Sequence, residues 1–290
     1  PGPDHALLGA VLVLFERNLT LGADDVEALS VLAGQSAMAI LNAQRFERQQ
    51  RVARSLQQGL LSTEMPQLAD CTLGAVYEPA GGDAEIGGDF FDVFDLPDGR
   101  FGIAVGDVSG KGAEAAAQTA MAKYMLRAFA ARNAAPSSAL YHLNNSLIKS
   151  FDDDKFISLV YGVFDPETKE IVIGRAGHPA PLIYRYETRT VEAIEGGGSI
   201  LGCFPEETFE QETVRLGEGD VFVAYTDGLV EARDGSRLYG RWRLEGALAH
   251  YASSFSVAEL ARRLYQDAQS FGTVGDDTIV FTLGCRVAPK

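Results

Sequence analysis

An α+β fold, with helices layered on mainly antiparallel sheets, is what this sequence predicts on three observations. Short runs rich in Val, Ile, Phe and Tyr come in groups joined by tight turns, as the strands of antiparallel hairpins do. Helical segments follow one another in pairs instead of alternating with each strand, which argues against a doubly wound parallel sheet. The 290 residues are 46% hydrophobic and 22% charged. Those are values of an ordinary globular chain, and they exclude a disordered, collagenous or purely coiled-coil protein.

The first element in order is Leu7–Phe15 (LLGAVLVLF), read as one buried strand followed by a polar turn over Glu16–Gly22. A lone strand cannot bury both faces, so residues 1–22 are expected to be the end of a domain whose body lies outside this chain. Asp24 and Asp25 stand where carboxylates start a helix. From there to Leu61 there is no proline and only Gly34 and Gly59, which predicts one helix of about 55 Å. Leu32, Ala39, Phe46, Ala53 and Leu60 recur at intervals of seven, with polar or small Ser36, Ala43, Gln50 and Gln57 between them. That thin coiled-coil seam predicts a linker over residues 23–65 that forms a homodimer with its twin.

Pro66 punctuates the chain, and strand texture follows. Thr72–Glu78, Asp89–Leu96 and Phe101–Asp107 are strands, the last two joined by the turn Pro97-Asp98-Gly99. Ala113–Arg132 is an alanine-rich helix with Met121, Tyr124, Met125 and Phe129 on its apolar side, and Pro136 opens another running to about Phe151. Ile157–Phe164, Glu170–Ala176 and Pro181–Glu187 are strands parted by Asp165-Pro166 and Gly177-His178-Pro179. Val214–Leu216, Val221–Tyr225 and Thr278–Leu283 add further strands, and Val257–Ser270 a further helix.

Charge and cysteine content narrow the function. Forty acidic residues against 25 basic give a net charge of −15, which opposes a nucleic-acid groove or an anionic membrane surface and suits a protein that holds cations. The longest apolar run, Ala6–Phe15, is about half a membrane span, and no basic leader precedes it. Cys71, Cys203 and Cys285 are odd in number and contain no CxxC pair, which predicts a reducing compartment and no zinc framework. The expectation is a soluble, cytoplasmic protein with neither nucleic-acid nor membrane partners.

Four aspartates each stand at a strand end beside glycine or a second aspartate: Gly88-Asp89, Gly106-Asp107, Asp227-Gly228 and Asp276-Asp277. Glycine there lets the backbone turn or approach a ligand closely. Carboxylates gathered on one rim repel unless a cation neutralises them, and hard oxygen donors select Mg²⁺ or Mn²⁺ over zinc. Two such ions sharing a carboxylate lower the pKa of a water and clamp phosphoryl oxygens, which suggests metal-assisted hydrolysis of a phosphoester. Alone, each pair is also a turn signal, and Asp98-Gly99 and Asp234-Gly235 are only that.

The five ordered segments IGGDFFDVF (Ile86–Phe94), GDVSGKGAEAA (Gly106–Ala116), AGHPAPLIY (Ala176–Tyr184), YTDGLVEARD (Tyr225–Asp234) and GDDTIV (Gly275–Val280) resemble the SpoIIE/RsbU subfamily of PPM-type, metal-dependent protein phosphatases. The resemblance covers about residues 66–286, and the N-terminal zone is similar to the last strand and helix of a GAF sensory domain. It implies a sandwich of two antiparallel sheets flanked by helices, with two Mn²⁺ or Mg²⁺ ions and sometimes a third. Carried over residue by residue, it implies that Asp107 bridges the metals and the carbonyl of Val108 completes one shell. Asp227 and Asp276 would hold the second ion, Asp89 would stand beside both, and Asp277 would support. The chain departs from larger relatives at Ser109, where they carry a histidine proposed as general acid, and in the order Asp-Asp-Thr-Ile. Lys111 stands where it would attract phosphate or lie solvated, His178 reads as a structural turn residue, Glu85 as an outer neighbour of the metals, and Trp242 as packing or surface.

The implied activity is a serine/threonine phosphoprotein phosphatase of bacterial signalling. The implied substrate is a phosphorylated STAS-domain anti-anti-sigma factor, whose dephosphorylation frees a sigma factor. The alternative left open is a catalytically inactive sensory or scaffold protein with a phosphatase-like domain.

Overall fold

The computed structural model describes residues 8–14, 20–61, 65–68, 70–80, 87–151 and 154–285, with the backbone alone for 49–61. Contacts divide the chain into two compact units, Pro1–Val52 and Ala53–Lys290.

The helix α1, Ala23–Leu61, starts where the acidic pair predicts, with Asp25 Oδ2 accepting the Gly22 amide at 2.9 Å. Residues 8–14 form no strand, contrary to expectation, and Leu12 and Leu14 are more than four-fifths exposed. Without a partner ladder an apolar run has nothing to hold it as a strand; Leu7 and Phe15 lie outside the described residues. Leu32 and Phe46 of the seven-residue seam are exposed. Ala23–Arg48 is also long and apolar enough, by length and composition, to cross a membrane, a segment the charge-based expectation did not weigh.

The second unit is a sandwich. β1 (Cys71–Glu78), β12 (Thr278–Cys285), β9 (Val221–Tyr225), β6 (Leu182–Arg185) and β7 (Thr190–Ala193) form one sheet in that order. The other runs β2 (Phe90–Asp95), β3 (Phe101–Val108), β4 (Ile157–Asp165), β5 (Glu170–Ala176) and β8 (Gln211–Arg215). Every neighbouring pair is antiparallel. Period-two alternation explains the layers. Phe91 and Val93 of β2 meet Phe281 and Leu283 of β12 between the sheets, while Phe90 and Phe94 point outward under α2 (Ala113–Arg132) and α3 (Pro136–Leu147). On the far side Val223 and Tyr225 pack under α5 (Gly240–Tyr251) and α6 (Val257–Phe271). With both faces of each sheet covered, most strands are apolar throughout.

The predicted elements recur within a few residues, α3 stopping at Leu147 short of the expected Phe151. Five were not predicted: β7, the two strands of the ribbon β10–β11 (Arg233–Asp234 and Arg237–Leu238), the one-turn α4 (Asp227–Val230), and α5. β7 is a half-exposed edge strand containing a glutamate, and α5 contains Gly240 and Gly246. Local propensity is poor in both, and packing decides them.

One buried polar cluster fixes α2 to its sheet. Asp92, 1% exposed in β2, accepts Arg127 Nε at 2.6 Å and Arg127 Nη2 at 2.7 Å, with Lys123 Nζ at 3.1 Å. Burial pushes the Lys123 pKa down while Asp92 holds it up. Asp92→Asn leaves Lys123 buried without its anion, so a loss of about 3–5 kcal/mol in urea unfolding is expected; an unchanged urea midpoint would contradict this.

Candidate metal centre

Hairpin register carries the four acidic motifs to one end of the sandwich. Phe90 opens β2 opposite Gly106 of β3, so Asp89 stands beside Asp107 and Val108 at the end of β3. In the other sheet Tyr225 closes β9 opposite Val280 of β12. That places Asp227, the first residue of α4, at the same end as Asp276 and Asp277, which precede β12. Thr226 joins the strands there: its amide donates to Ile279 O at 3.1 Å and its Oγ1 accepts Ile279 N at 2.8 Å. Its side chain also favours the ionised form of Asp89, across the two sheets.

The carboxylates grade from buried to open. Asp89 and Asp277 are 4% and 5% exposed, Asp107 is half-buried, and Asp227 and Asp276 are exposed. Burial, then the charge of Asp107, holds the Asp89 pKa well above the carboxylate range. Burial, then Asp227 and Asp276, pushes Asp107 up to about 6. Asp227 is raised by desolvation of its carboxyl, then by Glu231 and Asp276. Burial raises Asp277, opposed by the Ala80 amide and the charge of Lys111.

Among the described residues no three Asp, Glu, His or Cys side chains close round one point. Their mutual influence nevertheless shows that Asp107, Asp227, Asp276 and Asp277 act on one another, although Asp107 and Asp276 lie far apart in the chain. Asp89 Oδ2 is buried with no hydrogen-bond partner. An orphaned carboxylate oxygen within an all-oxygen set of repelling acids fits a hard divalent cation.

The two glycines before Asp89 are required by contact. A Cβ on Gly88 would lie 1.9 Å from Val108 O and 2.8 Å from Asp107 Oδ1, and one on Gly87 would fall 1.0 Å from Asp277 Oδ2. The Val108 carbonyl therefore lies directly under Gly88. Asp277 Oδ1 accepts the Ala80 amide at 2.7 Å, so this carboxylate faces the loop before β2 more than the open rim. Glu85 lies outside the described residues.

Around the rim, Ser109 clasps Phe156: its amide donates to Phe156 O and its Oγ accepts Phe156 N, both at 2.9 Å. Lys155, unremarked in the sequence, sits near Gly110 and pairs with Glu114 at 3.5 Å. Ser158, the cross-strand partner of Asp107, shares a 2.7 Å hydrogen bond with His178 Nδ1. Burial pushes His178 down to about 3, so it is a neutral strut at working pH, as its turn context suggested. Trp242 is 67% exposed, with the Arg243 guanidinium 4.4 Å from its ring centroid.

Comparison with known proteins agrees with this fold. The chain is 27% identical over 240 residues to the phosphoserine phosphatase RsbU of Bacillus subtilis, covering 82% of this chain and 70% of that protein. The crystal structure of the RsbU and RsbW domains of Rv1364c from Mycobacterium tuberculosis superposes with a TM-score of 0.66 at 28% identity, over 78% of this chain and 62% of that one. The PP2C phosphatase domain and regulatory fragment of SpoIIE from Bacillus subtilis share the fold, with a TM-score of 0.63 at 18% identity over 77% and 64% of the two chains. This chain thus spans just under two thirds of each solved chain. Residues 97–286, about two thirds of the sequence, match the family described as Stage II sporulation protein E; the chain belongs to the SpoIIE family of protein-serine/threonine phosphatases.

Proposed function

We propose that this chain hydrolyses phosphoserine or phosphothreonine in a partner protein with divalent cations, Mn²⁺ or Mg²⁺, held at the rim described above. The observation that carries this reading is that five carboxylates from four segments stand at one end of the sandwich, two of them, Asp89 and Asp277, with a buried oxygen lacking a hydrogen-bond partner. Bound cations supply charge neutralisation for the phosphoryl group and a water acidic enough to serve as nucleophile near neutral pH. Asp107, half-buried between the others, would bridge two ions. The Val108 carbonyl would join it, Asp227 and Asp276 would hold the second, and Asp89 and Asp277 would anchor the inner wall. With no histidine at position 109, this chain offers no imidazole acid there; Ser109 instead secures the end of β3, the strand that carries Asp107. Lys111, close enough to act on Asp277, supplies a point charge toward the incoming phosphate.

The substrate we infer is a phosphorylated STAS-domain anti-anti-sigma factor in a partner-switching system, supported by the likeness to RsbU. Residues 1–22 we read as the end of a GAF-like sensor, residues 23–65 as a dimerising linker, residues 66–286 as the catalytic domain, and the compartment as the cytoplasm. The test is hydrolysis of a phosphoserine protein with Mn²⁺ or with EDTA. Turnover is expected with the metal alone, and a rate indifferent to chelation overturns the mechanism.

Metal and protons should compete for the rim. Folded-state pKa values above the ordinary carboxylate value mean that the metal-free fold retains protons the unfolded chain releases. Their contribution to stability is complete below about pH 4 and is lost as pH rises through about 6. His178 has the opposite sign, costing stability as pH falls from about 6.5 toward 3. The difference between melts with and without Mn²⁺ cancels that term, so the Mn²⁺-induced rise in Tm is expected to be several degrees larger at pH 7.5 than at pH 5. An equal rise at both would show that these carboxylates do not bind the ion.

A further inference from the structure

Two thiols meet at the end of the sandwich opposite the carboxylate rim. Cys71 opens β1, Cys285 closes β12, and they are register partners. Their sulfurs lie 3.5 Å apart across 214 positions of sequence. Both are buried, at 4% and 3% exposure, within the core cluster between the sheets. Directly opposed residues of an antiparallel pair have Cα atoms about 4.5–5.5 Å apart, inside the range a disulfide spans. Small side-chain rotations are therefore enough to bring the sulfurs to bonding distance. Among the described residues the pair is the last rung of its ladder, joining the edge strand β1 to its neighbour β12, and opening at a strand end costs least and admits a small oxidant.

We propose that Cys71 and Cys285 are a reversible oxidation site, closed to a disulfide by a peroxide and reopened by a dithiol reductant. The hydrogen bond with Cys71, then burial, pushes the Cys285 thiol well up; either sulfur can be the donor and either can attack first, as Cys71 does here. Cys71 attacks one peroxide oxygen, the O–O bond breaks, and a first water leaves with Cys71 as sulfenic acid. Cys285 then attacks that sulfur, forming the S–S bond and releasing the second water with its thiol proton. The thiol pair loses two electrons and peroxide becomes two waters. The bond ties the strand that opens the sandwich to the strand that closes it. β12 runs from the rim at Thr278 to Cys285, about 23 Å away at strand rise, so the lock is expected to act on stability and to leave turnover unchanged.

Cys203 is exposed, so the test uses the full chain carrying Cys203→Ser, treated natively with hydrogen peroxide. Expected are an intact mass lower by two hydrogens, a cross-linked peptide pairing positions 71 and 285, and a Tm raised by several degrees that dithiothreitol reverses. Cys71→Ser in the same background should yield no cross-link and no Tm gain. Two free thiols persisting after treatment, or added oxygens without a cross-linked peptide, would overturn the proposal. The readouts are mass and melting, so the result stands apart from whether phosphatase activity is found.

Discussion

Asp107→Asn is expected to lower kcat on a phosphoserine protein by about a thousandfold, about 4 kcal/mol in the barrier. The change removes one charge and almost no volume. Asp107 is influenced by Asp227, Asp276 and Asp89, and the role proposed for it is to be shared between two ions. Its neutralisation also relieves repulsion, so the metal-free variant should melt no lower than the parent. That combination separates a catalytic role from a structural one. A variant that keeps activity within tenfold at saturating Mn²⁺ would remove Asp107 from the bridging position. Asp227→Asn should lose comparable activity, with part of the loss recovered at high Mn²⁺ because an exposed ligand contributes more to affinity than to the barrier.

Gly88→Ala is the second large effect, and its origin is steric. One methyl group would have to occupy space 1.9 Å from the Val108 carbonyl and 2.8 Å from Asp107 Oδ1. A backbone oxygen cannot swing aside as the end of a long side chain does. The start of β2 must therefore move away from the end of β3, breaking the Val108 N to Gly88 O bond of 3.2 Å and displacing Asp89 from Asp107. We expect a stability loss of about 2–3 kcal/mol together with at least a hundredfold loss of activity. Denaturant unfolding and turnover at saturating Mn²⁺ measure the two separately. Gly99→Ala is the control. That glycine has φ +82° but nothing within 4 Å of its Cβ position, so its replacement should lose about 1–2 kcal/mol from backbone strain and keep full activity.

Much of the fold was legible because strands and helices announce themselves locally. Pro97-Asp98-Gly99 set the β2–β3 hairpin, Pro136 opened α3, and the alanine-rich run marked all of α2. The acidic motifs were legible as well, since glycine beside aspartate at a strand end is a local pattern. Leu8–Leu14 misled, because an apolar run of strand length becomes a strand only when a ladder receives it. α5 and β7 stayed hidden for the converse reason: glycines and charges disguise elements that tertiary packing imposes.

By itself, then, the order of residues determined which segments pair as hairpins and which acids end those hairpins. Only the folded chain decided that the acids share one rim. It also decided that Asp277 turns toward Ala80 and Gly87, that Asp92 buries itself between Lys123 and Arg127, and that Cys71 meets Cys285. The physical reason is range: backbone propensity and turn chemistry act over a few residues, whereas repulsion, steric exclusion and desolvation depend on distances that exist only once two sheets have closed on a common core.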